Sequence, residues 1–400
     1  MASVCFYFQV HQPFRLRRYS VFDTDRHYFD EHKNGEIMRK ISAKCYLPTN
    51  QMMLEMLRQH EGRFRIAYSI SGCALEQLQQ YAPEVIESFQ QLNHTGCVEF
   101  LDETYYHSLA FLYSREEFRA QVEKHRALMK ELFNQQPRVF RNTELIYNND
   151  LAHFVANMGY AGVLTEGADQ ILGARTPNVL YRPPQADIKI LLKNFRMSDD
   201  ISIRFSDHSW ERWPLTADTF ADAVAKLPKD QDVCNIFLDY ETFGERHWPE
   251  SGIFEFLRYL PEKVLERGID FLTPAQAADR YAARDTLDVP HMVSWADTER
   301  DLSTWLGNAM QSNALHELYK LQGPLSDSGD EELLADWRKL TSSDHFYYMC
   351  TKYWSNGARH NKYFSPYESP YDGYINFMNV LDNIQSRLRD KEQPNPAMTP

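Results

Sequence analysis

Cys234-Asn235-Ile236-Phe237-Leu238-Asp239-Tyr240-Glu241 is the stretch on which the fold turns. Five residues, mostly apolar and too few for a helix, run into an acid. That pattern reads as a strand covered on both faces, ending where the chain leaves the core. Working outward, short apolar runs recur at residues 4–10, 64–70, 97–101, 139–143, 162–165, 179–181, 188–192 and 270–272. Longer amphipathic stretches separate them, as at 115–133, 216–227 and 253–267. The last of these carries Ile253, Phe256, Leu257, Leu260, Val264 and Leu265 near a 3.6-residue period. Such alternation predicts βα units and a parallel sheet.

After about residue 285 the strands stop. Residues 302–321, 330–340, 344–354 and 373–389 read as helices, with an aromatic, turn-rich segment at 357–372. The expected organisation is a βα barrel over 1–285, a helical bundle over 286–390 that contributes to the active-site cleft, and a loose tail over 391–400. A 400-residue chain buries roughly three quarters of its extended surface, enough for one large core and a smaller unit.

The formal charge of −13 excludes a basic nucleic-acid footprint and disfavours anionic lipid, so a neutral or cationic partner fits better. Six scattered cysteines lack any C-x-x-C pair, which argues against zinc or a disulfide framework and for free thiols in a reducing compartment. Gln9 and His11 interrupt the first apolar run, and no segment approaches 18 apolar residues. The expected location is the cytoplasm, with no membrane association. The 23 Tyr, 24 Phe and 7 Trp exceed what a core usually asks for; core filling and stacking on sugar rings are the two explanations.

In a βα barrel the active site gathers at the carboxyl ends of the strands. Those ends carry His11-Gln12-Pro13, Ser71-Gly72, Asp102-Glu103, Glu144, Glu166 and Asp239-Tyr240-Glu241. Burying carboxylates repeatedly is costly unless they are paired or used. The structural alternatives are a satisfied core histidine for His11, an ion pair with Arg141 or Arg138 for Glu144, and a helix cap or loop turn for Asp239 and Glu241. Two carboxyls from separate strand ends are what glycosidic cleavage needs, one as nucleophile and one as proton donor and then base. About 5–5.5 Å between them means retention, and roughly 6.5–9.5 Å inversion.

Five segments in order resemble glycoside hydrolase family 57, specifically its α-amylase branch. They are His11-Gln12-Pro13, Gly72-Cys73-Ala74-Leu75-Glu76-Gln77, Phe140-Arg141-Asn142-Thr143-Glu144-Leu145-Ile146-Tyr147, Leu238-Asp239-Tyr240-Glu241-Thr242-Phe243-Gly244-Glu245, and Ser294-Trp295-Ala296-Asp297-Thr298-Glu299-Arg300-Asp301, which runs on to Asn308. The resemblance implies an α/β fold with an incomplete (β/α)7 barrel and a C-terminal helical region. It implies a retaining enzyme cutting α-1,4 bonds of starch- or glycogen-type glucans or maltooligosaccharides. Carried over, it makes Glu144 the nucleophile and Asp239 the general acid/base. His11 and Glu241 would bind sugar hydroxyls, and Trp295 and Asp297 would close the cleft from the helical region. Arg204, in a family-like stretch ending at Trp210, and Trp248 are further substrate-binding candidates, as are Tyr363, Phe364, Tyr367 and Tyr371 for stacking. No cofactor or metal is implied. One departure is Arg246-His247-Trp248, where a histidine is expected directly after Glu245.

A 4-α-glucanotransferase on the same scaffold differs only in whether sugar or water accepts the glycosyl unit. A non-catalytic glucan-binding protein is opposed by the presence of both carboxyls. A metal-dependent deacetylase using His11, His107 and an aspartate lacks the His-x-x-x-His spacing; His94 and His107 lie thirteen apart.

Overall fold

A computed structural model describes residues 2–352 and 365–392. These fall into two compact units, one drawn from Met1–Gln12, Gly35–Tyr105 and Val122–Arg300, the other from Pro13–Asn34, Tyr106–Gln121 and Asp301–Pro400.

The first unit is α/β. Its strands are β1 (Ser3–Val10), β2 (Ile66–Ile70), β3 (Val98–Phe100), β4 (Val139–Arg141), β5 (Gly162–Glu166), β6 (Tyr181–Arg182), β7 (Lys189–Lys193), β8 (Val233–Asp239) and β9 (Asp285–Thr286). They form two sheets, in the orders β3-β2-β1-β8 and β4-β5-β7-β6-β9. Every pairing is parallel except β6 with β7. All eight residues of β1 are buried, as a central parallel strand requires.

Because side chains alternate along a strand, neighbouring residues enter different cores. Val4, Phe6, Phe8 and Val10 join a cluster shared with the helices. Cys5 and Tyr7 join a second cluster with Ala67, Leu101, Val139, Leu164, Leu191, Val233 and Phe237, contributed by the other principal strands and the residue following β3. The same alternation separates the two acids after β3. Asp102 faces the helix Arg115–Phe133, where His125 Nδ1 lies 2.6 Å away, Arg126 Nε donates at 3.3 Å and the Tyr160 hydroxyl also donates. Burial alone would lower the His125 pKa, but the bond to Asp102 and its charge outweigh it and raise it. Glu103 faces the opposite way.

The second unit is largely helical among its described residues. It includes helices Ala309–Lys320, Glu331–Leu340, Ser343–Tyr347 and Pro370–Glu392. Asn308 caps the first through a reciprocal bond with Gln311, and Trp337 Nε1 donates to the Leu318 carbonyl at 2.8 Å. Glu117 and Arg338 form a nearly buried ion pair at 2.9 Å.

The division differs from the one expected at residue 285. Residues 286–300 pack with the first unit because β9 pairs with β6 and Tyr147 exchanges both main-chain bonds with Val293. Residues 13–34 and 106–121 pack with the helical unit. A change from strand to helix periodicity reports local structure and is blind to such long-range pairing. The strand expected at 270–272 reduces to a single bridge from Phe271 to Val4. The last helix continues to Glu392, and the rest of the expected tail, like Trp354, Tyr363 and Phe364, lies outside the described residues.

Removing Asp102 leaves His125, Arg126 and Tyr160 without their shared acceptor. Asp102→Ala should therefore cost about 3–5 kcal/mol of unfolding free energy in urea titration. A loss below about 1 kcal/mol would show that the cluster does not hold the helix to the sheet.

Candidate active site

Parallel pairing aligns the carboxyl ends of the strands, and register decides which residues meet there. In β1–β8 the register places Gln9 beside Asp239, and in β1–β2 it places Val10 beside Ile70. Asp239 ends β8 half-buried. A tight 3-10 turn follows at Tyr240–Thr242. Tyr240 is fully buried, its hydroxyl donating to Asn50 Oδ1 at 2.6 Å, and Asp239 and Glu241 flank it on the chain. Glu241 accepts from the Tyr46 hydroxyl and from Gln12 Nε2 at 3.4 Å. Burial, with the Asp239 charge adding to it, pushes the Glu241 carboxyl up to about 7.

Beyond this turn the chain folds tightly back. Arg246 N donates to the Glu241 carbonyl at 2.8 Å, and Gly244 N to the His247 carbonyl at 2.8 Å. Gly244 has φ +101°, and a Cβ there would lie 2.2 Å from the Lys44 carbonyl oxygen, so a side chain is excluded on both counts. Arg246 Nη2 donates to Asp239 Oδ2 at 3.0 Å. His247 is buried, with ring nitrogens 2.7 Å from Ser206 Oγ and 3.1 Å from the Ser202 carbonyl oxygen. Of the two residues that break the family-like pattern, Arg246 thus meets the acid and His247 anchors the turn.

Glu144 follows β4 with φ 58° and ψ 21°, and Leu145 has φ 52°. Two successive left-handed residues without glycine store strain of order 1–3 kcal/mol each, which surrounding contacts must sustain. Trp295 supplies some of them: its Nε1 donates to Glu144 Oε2 at 2.7 Å, and its main-chain N–H to the Glu144 carbonyl at 3.2 Å. The loop carrying Trp295 is closed by Ser294 N donating to the Arg300 carbonyl at 3.0 Å, and the Arg300 guanidinium also donates to the Trp295 carbonyl.

A continuous set of contacts joins the ends of β8 and β4. Gln9, the register partner of Asp239, donates to Glu103 Oε1 at 3.0 Å, and Ser69 Oγ donates there at 2.5 Å. Glu103 lies 3.9 Å from Arg141 Nη1; the Arg141 guanidinium sits 5.2 Å from the centroid of the Trp295 ring. Trp295 then holds Glu144. On the far side Lys193, at the end of β7, lies 3.5 Å from Glu166 and 3.4 Å from Asp199, and Arg300 reaches the same two acids at 3.3 and 3.6 Å. Burial raises the Glu166 pKa against these two cations.

His11 Nδ1 is 2.7 Å from Ser71 Oγ, which also caps the helix Gly72–Tyr81. Gly72 in the second motif is required by packing: a Cβ there would lie 2.4 Å from the Tyr105 ring. Asp297 sits half-buried at φ 55° in the Trp295 loop, which belongs to the first unit and not the helical region. Trp248 is 62% exposed, with Lys44 Nζ 5.8 Å from its ring centroid. Arg204 is committed to Asp200 at 2.8 Å, which also takes Arg212, and is not among the strand-end residues. Sequence reasoning missed Gln9, Tyr46 and Lys193, and marked Arg246 only as a departure from the family pattern. A polar residue near the end of a mostly apolar strand marks Gln9, and ending the run at Leu192 hid Lys193; nothing local marks Tyr46.

The glycosyl hydrolase family 57 model matches residues 5–290. A "Putative alpha-amylase" of Methanocaldococcus jannaschii is 40% identical over 97% of this chain and 85% of its own length. The chain belongs to glycosyl hydrolase family 57. Its fold is shared with a family 57 branching enzyme of Thermococcus kodakaraensis (TM-score 0.69, 13% identity, 98% of this chain and 94% of that one). A second such branching enzyme, from Pyrococcus horikoshii, superposes with TM-score 0.68 at 16% identity over 100% of this chain and 98% of its own. At these identities the likeness is one of fold. No described helix is long and apolar enough to cross a membrane.

Glu241 supplies a pH test. Its folded pKa of about 7 lies above the ordinary 4.5, so the folded state holds more protons between these values and its stability falls as pH rises through that window. Glu241→Gln mimics the protonated carboxyl and removes that fall. The melting temperature of the variant relative to the parent should rise between about pH 5 and about pH 8. A constant difference would place the titration elsewhere.

Proposed function

We propose that this chain is a retaining hydrolase of α-1,4-glucosidic bonds in starch- or glycogen-type glucans and maltooligosaccharides. The observation that carries the reading is the pair of carboxyls at the ends of β4 and β8, joined through Gln9, Glu103, Arg141 and Trp295. In the first step Glu144 attacks the anomeric carbon as the bond to the leaving sugar breaks, and the Asp239 proton passes to the leaving oxygen. In the second, water attacks that carbon, gives a proton to Asp239 and displaces Glu144. The Trp295 N–H orients the nucleophile. His11, Glu241 and Asp297 are suited to sugar hydroxyls, and the exposed Trp248 to a pyranose ring. The name of the Methanocaldococcus jannaschii relative agrees with this substrate class.

The scaffold of this reading is one incomplete seven-stranded barrel. Supporting it are the parallel bridge of Asp102 to Phe140, which joins β3 to β4, and the bond from Asn194 N to the Asn235 carbonyl at 2.8 Å, which joins the β7 end to β8. The shared second core cluster is the filling expected of a barrel interior. Buried free thiols at all six cysteines support a reducing compartment, hence the cytoplasm.

Timed product analysis on amylose and maltooligosaccharides tests the reading. The parent should release shorter chains with retained anomeric configuration. Glu144→Ala and Asp239→Ala should each lose about 10³-fold or more in turnover while still folding cooperatively. Near-parental turnover in either variant refutes its assigned role. Products longer than the substrate would mark transfer, and binding without release of reducing ends would mark a non-catalytic protein.

A further inference from the structure

Arg246 occupies the position where this chain departs from its family-like pattern, and its guanidinium lies 3.0 Å from Asp239 Oδ2. The arginine side chain is 36% exposed and the aspartate 30%, so solvent screens the pair and it contributes little to stability. Yet the backbone that delivers Arg246 is strongly determined. Gly244 is fixed by close approach to Lys44, the Arg246 N–H is held by the Glu241 carbonyl, and the next residue is buried and bonded on both ring nitrogens. Lys40 bonds Glu245 at 2.7 Å on the preceding side. An ion pair of small stabilising value at the end of a rigid turn is explained by what it aims.

We propose that Arg246 is the positioning residue of the acid/base carboxyl, holding Asp239 in the orientation that delivers its proton to the leaving sugar oxygen. Asp239 has two carboxyl oxygens; with Oδ2 engaged by the guanidinium, Oδ1 is left to face the glycosidic oxygen. A misplacement of about 1 Å in a reacting group costs on the order of 10²-fold, so the expected effect is kinetic and not structural. This inference rests on the assignment of Asp239 as the acid/base.

The test compares kcat/KM for maltotetraose, whose leaving sugar needs a proton, with that for α-maltosyl fluoride, whose leaving fluoride does not. Arg246→Ala should lower kcat/KM for maltotetraose by about 10- to 100-fold, and for the fluoride at least about ten times less. Arg246→Lys, which retains a cation but not the planar fork, should recover part of the loss. Equal losses on the two substrates, or none on maltotetraose, would overturn the proposal. Asp239→Asn is the separate control. If it hydrolyses maltotetraose at near-parental rate, the acid/base reading itself fails. If it loses maltotetraose and keeps the fluoride while Arg246→Ala does not discriminate, only the role of Arg246 fails.

Discussion

The molecule depends on parallel strand pairing around β1. Parallel register brings successive strands to the same level at the same end, and β1 is held on both sides, by β2 and by β8. Gln9 is thereby placed beside Asp239, while the Val10–Ile70 pair sets the level at which His11 meets Ser71. Sliding β1 by one residue against β8 would turn Cys5 and Tyr7 out of the second core cluster and put Phe6 and Phe8 in their place. The core therefore fixes the register, and the register fixes which polar residues stand at the rim.

Gathering acids at one end is costly unless each is answered by a donor. Glu103 is answered by Gln9, Ser69 and Arg141, and Glu166 with Asp199 by Lys193 with Arg300. The second group has two acids and two bases and so adds no net charge. Its cost is desolvation, visible in the raised pKa of Glu166. These groups bring fixed dipoles and charges to the rim before any ligand arrives, the preorganisation that a water-poor site exploits. Arg300 has a further part: it binds both acids and the Trp295 carbonyl, so the loop that holds Glu144 is tied to the end of β5 and to the helix Phe195–Ser202.

Much of this was legible in the sequence because strands covered on both faces advertise themselves. The apolar runs at 4–10, 162–165, 188–192 and 234–238 correspond to β1, β5, β7 and β8 within a residue or two. The rule that polar residues after such runs form the rim located His11, Glu144, Glu166 and Asp239. It could not separate Asp102 from Glu103, because both are strand-end acids and only the facing helix tells them apart. Nor could it see the left-handed backbone at Glu144, since glutamate carries no preference for that region. The unit boundary was illegible for a related reason: residues 286–300 are local in sequence to the helices but bonded to β6 and Tyr147.

The surplus of aromatics is largely structural. Tyr240 is packed against Phe8 at 5.3 Å and Tyr68 at 5.1 Å between ring centroids, and stacked on Tyr46 at 6.2 Å. These rings anchor the one residue that lies between Asp239 and Glu241. With Tyr240 locked into the core, the carboxyls on either side of it are held at the rim by a shared pivot, and each needs only one or two further partners to fix its direction: Arg246 for one, Tyr46 and Gln12 for the other. Tyr46 takes part in both, stacking on the pivot with its ring and donating to Glu241 with its hydroxyl. On the function proposed above, the rigidity demanded of a catalytic carboxyl is supplied by apolar burial one residue away, at a position whose own chemistry does not enter the reaction.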